Sequence, residues 1–243
     1  IASKNTLPIL SDICCRVGGN MIQMIASDGD VEISATVPLQ VMEGDGAFCV
    51  PAQQLQASVQ HLPELPVVIV ADTENLPDAY FRLKHKSGTV KFRIDNATEY
   101  PDMPGIGEPM ADIHIKAQQL REALRRSGWC TATDNLRPQM TGVSVQVALG
   151  GMTVVGSDGN TMVMSFYPDC GTAKEVDAGV ILPRKVVNLL QNSLPGIGEV
   201  HLMWGRQHAL VEADGFRMRF RLYDSKYPNF RKVIPTDCPI HAT

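Results

Sequence analysis

The 243-residue sequence contains no apolar run near the roughly 18 residues a membrane-spanning helix requires, so nothing in it reads as a membrane span. It shows no secretory signal pattern at its start. It lacks a positive excess: 22 Lys and Arg against 26 Asp and Glu leave a net charge of −4. That argues against a uniformly basic nucleic-acid binder, but not against cations gathered on one surface. Aromatic residues make up only 6% and do not alternate with the basic ones, which disfavours a protein that stacks single-stranded bases. The six cysteines, Cys14, Cys15, Cys49, Cys130, Cys170 and Cys238, form no C-x-x-C pair. They read as small buried residues of a reducing cytoplasm rather than as a zinc site or disulfide framework. No phosphate-cradling glycine loop, nucleophile elbow or zinc-protease helix motif occurs, and the two Gly-Ile-Gly pieces at 105–107 and 196–198 fall in loops. The histidines (His61, His85, His114, His201, His208, His241) are scattered, and no metal site is expected from them.

What is present is a globular composition, 44% apolar and 20% charged, with enough apolar material for sizeable cores. The length suits one large domain or two ordinary ones. The first residue is Ile1 rather than Met, and the expectation is that the natural start lies upstream.

The chain repeats itself at an interval of about 130 residues. ASDGDVEISA at 26–35 matches GSDGNTMVMS at 156–165, so Ser27, Asp28 and Gly29 return as Ser157, Asp158 and Gly159. VPAQQLQASVQHLP at 50–63 matches LPRKVVNLLQNSLP at 182–195, aligning Pro51 with Pro183. VKFRIDNATEYPDM at 90–103 matches MRFRLYDSKYPNFR at 218–231, aligning Phe92 with Phe220 and Tyr100-Pro101 with Tyr227-Pro228. Asn5 has its counterpart in Asn135. Four blocks in one order imply two domains of one fold, expected at 1–110 and 111–237, with 238–243 as a linker. The second copy opens with IHIKAQQLREALRRSG, whose equivalent would precede residue 1, so the first copy is expected to lack an opening strand and helix.

Alternation predicts a strand at 112–116. Ala117, Leu120 and Leu124 at helical spacing predict a helix over 117–127, with Arg121 and Arg125 together on another side and Gly128 as its stop. Strands are expected at 141–148, 151–156, 160–166, 179–182, 199–204, 208–213 and 216–223, and a second helix at 184–193. The first copy should follow with strands at 8–16, 20–26, 30–37, 47–50, 66–71, 79–84 and 89–95 and a helix at 52–61. The class is α+β: antiparallel sheets with two helices on one side of each domain.

Two groups of charged residues invite a functional reading. Asp28, Asp30 and Glu32, with Asp158, could hold two metals for a nuclease or nucleotidyl transferase. However, Asp28 and Asp158 each precede a glycine between strands, which is turn chemistry, and the turn is the favoured reading. Lys116, Arg121, Arg125 and Arg126 cluster on and beside the first helix of the second copy, Lys4 and Arg137 occupy nearby positions in the two copies, and Lys84, Lys86, Lys91 and Arg93 stripe one hairpin. They form either a solvated face or a sequence-independent, salt-sensitive contact with phosphates.

NTLPIL at 5–10, VPAQQL at 50–55, GSDGN at 156–160, ILPRKVV at 181–187 and above all YPNFRKVIP at 227–235 resemble the beta sliding clamp family of bacterial DNA polymerase III. The resemblance covers nearly the whole chain, as most of clamp domain one and all of domain two. It implies a ring around double-stranded DNA, built from three domains per chain in a homodimer, with two helices of each domain facing the hole. It implies no catalysis and no cofactor, but processivity for the polymerase. The third domain would lie beyond Thr243. The implied DNA contacts are Lys4 and Arg137, then Arg121, Arg125 and Arg126. The implied pocket for partner peptides, from the polymerase III catalytic subunit, the clamp loader and other clamp-binding proteins, is Ser157, Gly159, Asn160, Thr161, Met162, Pro228, Lys232 and Val233. The family's usual His-Arg-Leu after Asp-Gly stands here as Asn160-Thr161-Met162, a departure that bears on peptide preference. Pro138 and Gln139 replace the aromatics that often follow the matching arginine.

Overall fold

The computed structural model describes residues 7–73, 79–134, 136–170 and 178–235, which leaves Lys4, Asn5, Asn135 and Cys238 outside the described residues. After a 3-10 turn at Pro8–Ser11, the first repeat runs β1 (Asp12–Gly18), β2 (Met21–Ser27), β3 (Val31–Pro38), β4 (Gly46–Pro51) and α1 (Ala52–Val59). It continues with β5 (Val68–Asp72), β6 (Tyr80–His85), β7 (Gly88–Arg93) and β8 (Asp95–Asn96). The second repeat runs β9 (Ala111–Lys116), α2 (Ala117–Gly128), β10 (Val143–Ala148), β11 (Gly151–Ser157) and β12 (Met162–Tyr167). It closes with β13 (Ala178–Leu182), α3 (Arg184–Ser193), β14 (Glu199–Trp204), β15 (His208–Ala213) and β16 (Phe216–Arg221). Every strand pairing is antiparallel, which makes the fold α+β.

The two repeats share a topology. The order β4-β1-β2-β3 in one is β13-β10-β11-β12 in the other, and the meander β5-β6-β7 returns as β14-β15-β16. The duplication extends to single hydrogen bonds. Gly29 N donates to Ser27 Oγ (3.1 Å), while Asp30 N and Val31 N donate to Asp28 Oδ1 (3.1 and 2.9 Å). In the second copy Gly159 N donates to Ser157 Oγ (3.0 Å), and Asn160 N and Thr161 N donate to Asp158 Oδ1 (2.8 and 2.7 Å). Gly29 and Gly159 sit at φ +91° and +96°, where a side chain would be strained, which explains the Asp-Gly pair in both turns. Each repeat also buries a tyrosine hydroxyl against the backbone of its own serine, Tyr100 at Ser27 and Tyr227 at Ser157.

Several boundaries differ from the sequence reading. The strand expected from residue 8 begins at Asp12, because Pro8 has no N–H for a ladder and Ser11 Oγ closes a turn onto its carbonyl at 2.7 Å. The strand expected from 141 begins at Val143, after a 3-10 turn at Pro138–Met140. The strand expected from 160 begins at Met162, since Asn160 and Thr161 belong to the Asp158 turn. The helix expected to reach 61 ends at Val59. Two helices were expected in each domain; among the described residues the first repeat has α1 and the second has α2 and α3.

The repeats are joined by strand pairing rather than by a tether. β3 of the first pairs β16 of the second, giving a nine-stranded sheet in the order β8-β4-β1-β2-β3-β16-β15-β14-β9. At this seam Glu32 lies opposite Arg219. Glu32 is only 3% exposed, and Arg219 reaches its Oε1 through Nε (2.9 Å) and Nη2 (2.6 Å) while Nη1 donates to the Met103 carbonyl (2.9 Å). The Glu32 carboxylate is therefore buried with a half-buried guanidinium as its cation, the condition under which removing the arginine is costly.

The largest core lies in the second repeat. α2 and α3 fill it with Leu120, Ala123, Leu124, Val186, Val187 and Leu190 against the four-stranded sheet and β14–β16. Neither helix has a side-chain N-cap, so packing rather than capping holds them. The first N–H of α2 is satisfied by the Gly198 carbonyl at 2.9 Å. Gly156 on β11 allows the end of α2 to come close, because a Cβ there would overlap the Ser127 carbonyl. The first repeat packs Phe48, Phe81 and Phe92 together, with ring centroids 5.8 and 5.7 Å apart, beneath α1.

Candidate functional site

Two surfaces emerge from this scaffold. The first is the outer side of α2 and α3. Gly128 at the end of α2 faces Val187 and Gln191 of α3, while Gly196 just after α3 lies with Gln118 and Arg121 near the start of α2. The helices are therefore antiparallel neighbours. Since Leu120 and Leu124 point inward, Arg121 and Arg125 share an outward ridge and line a shallow depression with Gln118, Glu122 and Gly196. Among the described residues neither Arg121 nor Arg125 has an acidic partner within ion-pair distance. Arg126 is different, because it pairs with Glu122 one turn back. Lys185 of α3 pairs with Asp28 of the first repeat, and burial lowers its pKa from the usual ammonium range. The basic stripe on β6 and β7 is partly held in place, with Lys91 Nζ 4.4 Å from the centre of the Tyr80 ring.

The second surface surrounds the turn between β11 and β12. Ser157 is buried and fixes the turn by accepting from Gly159 N and donating to the Thr161 carbonyl at 2.8 Å. Gly159, Asn160 and Thr161 are exposed and Met162 is half-buried. Backbone N–H groups of Thr161 and Asn160 hold the Asp158 carboxyl below the usual carboxylate range. Tyr227 stands against the Ser157 backbone, and burial pushes its hydroxyl up to about 12. This contact places Pro228 beside the turn. Phe230, 4% exposed, anchors the 3-10 turn Phe230–Val233, which presents Lys232 and Val233 to solvent. Val233 is 70% exposed, a large apolar side chain displayed rather than packed. Arg137 joins this surface. Its Nη1 lies where it would be 3.4 Å from a Cβ on Gly159 and is 3.9 Å from Met140 Sδ.

Of the residues singled out from the sequence, Ser157, Gly159, Asn160, Thr161 and Met162 share the turn between β11 and β12, Pro228 follows Tyr227, which reaches the Ser157 backbone, and Lys232 and Val233 lie on the 3-10 turn after it. It sets Arg121 and Arg125 side by side on another surface. Arg137 stands at the turn surface and not on the helix ridge. Tyr227 and Met140 were not singled out as site residues; the repeated Tyr-Pro pair was the signal that could have found Tyr227.

The carboxylate alternative does not survive. Asp28 and Asp158 each bind backbone N–H groups of their own turn, and Asp28 also pairs with Lys185. Glu32 is engaged by Arg219. These acids therefore serve turns and the seam rather than a shared metal centre.

Tandem copies of one antiparallel sheet-and-helix module, fused through a shared sheet, define a clamp-type architecture. The family model for the N-terminal domain of the DNA polymerase III beta subunit matches residues 1–104, and the model for its central domain matches residues 114–229. The chain belongs to the DNA polymerase III beta subunit family. It is 25% identical over 238 residues to a beta sliding clamp of Pseudomonas aeruginosa, covering 97% of this chain and 63% of that protein. A crystal structure of the DNA polymerase III subunit beta from Pseudomonas aeruginosa is similar with a TM-score of 0.87 at 25% identity, covering 98% of this chain and 63% of the other. A Helicobacter pylori beta clamp bound to a DNA ligase peptide shares the fold with a TM-score of 0.85 at 19% identity, covering 98% and 65%. The chain thus spans just under two thirds of the length of these relatives. No helix among the described residues is long and apolar enough to cross a membrane.

Proposed function

We propose that this chain supplies two consecutive domains, 1–110 and 111–237, of a DNA sliding clamp, a cytoplasmic processivity factor without catalysis or cofactor. Its helices would line a hole that encloses double-stranded DNA. Arg121 and Arg125 would meet phosphates there, with Arg126 weaker because Glu122 competes for it, and Lys4 and Arg137 contributing further contacts. The observation that carries this reading is the duplicated module joined through one sheet, with two cations without acidic partners on the helical layer. Retention would be topological, so individual phosphate contacts can stay weak enough to slide.

Two strand edges support continuation of the wall into a ring. The joint between the repeats pairs β3 with β16, and the strands in the equivalent positions, β12 and β7, are both sheet edges; β12 also exposes Met164 (48%) and Phe166 (57%). Open edges favour further strand pairing, here of β12 with a third domain and of β7 with a second chain in a homodimer.

The turn surface would dock short apolar peptides from the polymerase III catalytic subunit, the clamp loader and other clamp-binding proteins. Pro228, Val233 and Met162 would take apolar side chains, while Asn160, Thr161, Lys232 and Ser157 would set polar contacts around Gly159. Arg137, beside Gly159, would reach the peptide as well as any DNA. A peptide seated on the Helicobacter pylori relative supports this use of the fold.

The test loads the full-length protein that contains this chain onto nicked circular DNA with its clamp loader. Retention on the circle and rapid loss after linearisation is the expected result. Protein that stays on linear DNA with free ends would overturn the topological mechanism. Peptide binding is read separately by anisotropy, where Val233→Asp should abolish it without affecting retention on a circle once loaded.

A further inference from the structure

We infer that the outer face of the nine-stranded sheet carries a transition-metal site formed by Asp112, His114 and His201, suited to Zn²⁺. Among the described residues this is the one trio of His, Cys, Asp or Glu whose potential ligand atoms all lie within 4.8 Å of one another. The trio is independent of both surfaces described above.

Its placement follows from strand periodicity. Asp112 and His114 are two residues apart on β9, so both project from the side opposite buried Ile113 and Ile115. His201 is the antiparallel partner of His114 on β14. The two imidazoles are stacked, with ring centroids 4.4 Å apart and planes 4° from parallel. His201 Nε2 already contacts Asp112 Oδ1. A tetrahedral zinc ion with bonds of about 2.0–2.1 Å would hold its ligand atoms roughly 3.3 Å apart. Rotation of three side chains at the protein surface closes that difference without moving the backbone.

The surroundings orient the site. Glu212 is opposite His201 on β15 and places Oε2 3.8 Å from His201 Nδ1. Arg217 fixes Glu212 from the far side, through Nε at 2.6 Å and Nη2 at 2.5 Å. The Asp112 carboxylate faces His201 Nε2, so a bound metal would displace the proton held between them, and the Glu212 carboxylate beyond Nδ1 adds negative charge that favours a cation. Two imidazoles and one carboxylate form a borderline donor set that suits Zn²⁺ over Mg²⁺ or Ca²⁺, which prefer all-oxygen shells. A fourth position faces solvent and is open to water.

The consequence is mechanical. β9 is an edge strand held on one side by β14, and it leads directly into α2, the helix with Arg121 and Arg125. A metal bridging β9 and β14 would staple that edge.

The experiment uses Zn²⁺ and Co²⁺ alone with the full-length protein in the presence of a non-chelating reductant. One equivalent of Co²⁺ should bind with visible d–d absorption and be displaced by Zn²⁺, and Zn²⁺ should raise the melting temperature. Histidine ring ¹⁵N shifts of the wild type should change at His114 and His201 and not at His208. His201→Ala and His114→Ala should lose the equivalent, and Glu212→Gln should bind about tenfold more weakly. Equal binding by the His114→Ala/His201→Ala protein, or unchanged ring shifts at His114 and His201 in the wild type with Zn²⁺ present, would overturn the proposal. Neither outcome depends on DNA or peptide binding, so it stands or fails apart from the clamp reading.

Discussion

Arg219→Met tests whether the two repeats are held as one body by the pairing of buried Glu32 with Arg219 at the seam. The substitution preserves much of the side chain's bulk but leaves the Glu32 carboxylate, 3% exposed, without its cation. Breaking a buried pair from one side costs about 3–5 kcal/mol. For a chain of this size that corresponds to a fall in melting temperature of roughly 6–20 °C. The double change Glu32→Met/Arg219→Met removes both charges and should recover most of the loss. A deficit of about 1 kcal/mol should persist, because the Met103 carbonyl loses the Nη1 donor. Urea unfolding followed by far-ultraviolet dichroism measures all three proteins. If Arg219→Met costs less than about 1 kcal/mol, the value typical of exposed pairs, the seam is not held in this way. If the single variant unfolds in two steps where the wild type unfolds in one, the pair also couples the repeats cooperatively.

Three further outcomes are expected. Gly156→Ala should destabilise by about 1–3 kcal/mol in urea unfolding, since its methyl meets the Ser127 carbonyl at the end of α2, whereas Gly105→Ala, with open space around it, should be nearly neutral. Arg121→Glu/Arg125→Glu should lower the slope of log K against log salt for duplex DNA by about 1.8, as expected for two lost phosphate contacts, and an unchanged slope would remove the helix ridge from the DNA surface. Stability should fall as pH rises from about 10 to about 12: the Tyr227 hydroxyl ionises near 10 in the unfolded chain and near 12 when folded, so the unfolded state releases its proton first. Tyr227→Phe should flatten part of that decline in urea titrations across the same range.

Much of the fold was legible because each element wrote its own period. Ile113 and Ile115 alternate with polar neighbours, and Leu120 and Leu124 fall one helical turn apart, so β9 and α2 could be placed almost to the residue. The Ser-Asp-Gly turns were legible for a chemical reason, since Asp accepts from its own backbone and Gly tolerates positive φ. The seam was not legible. Glu32 and Arg219 are 187 residues apart, and each looks like an ordinary charge on a strand. Nor could spacing reveal that Lys185 would be engaged by Asp28 or that Arg137 would lie over Gly159. The same holds for His114 and His201, which looked scattered because only the antiparallel register of β9 and β14 makes them neighbours. Periodicity reports which face a residue occupies; it does not report which distant strand comes to lie beside it.

The pairing of β3 with β16 makes the crossover after β8 a strap rather than a pivot. The Met103 carbonyl is fastened by Arg219, and the Ile106 carbonyl lies against Gly205 where no side chain would fit. The angle between the two modules is therefore written into backbone twist, residue by residue along Val31–Ala35 and Phe216–Phe220. A longer or shorter crossover would leave that angle in place, while a slip of register along this ladder would re-aim one entire module against the other.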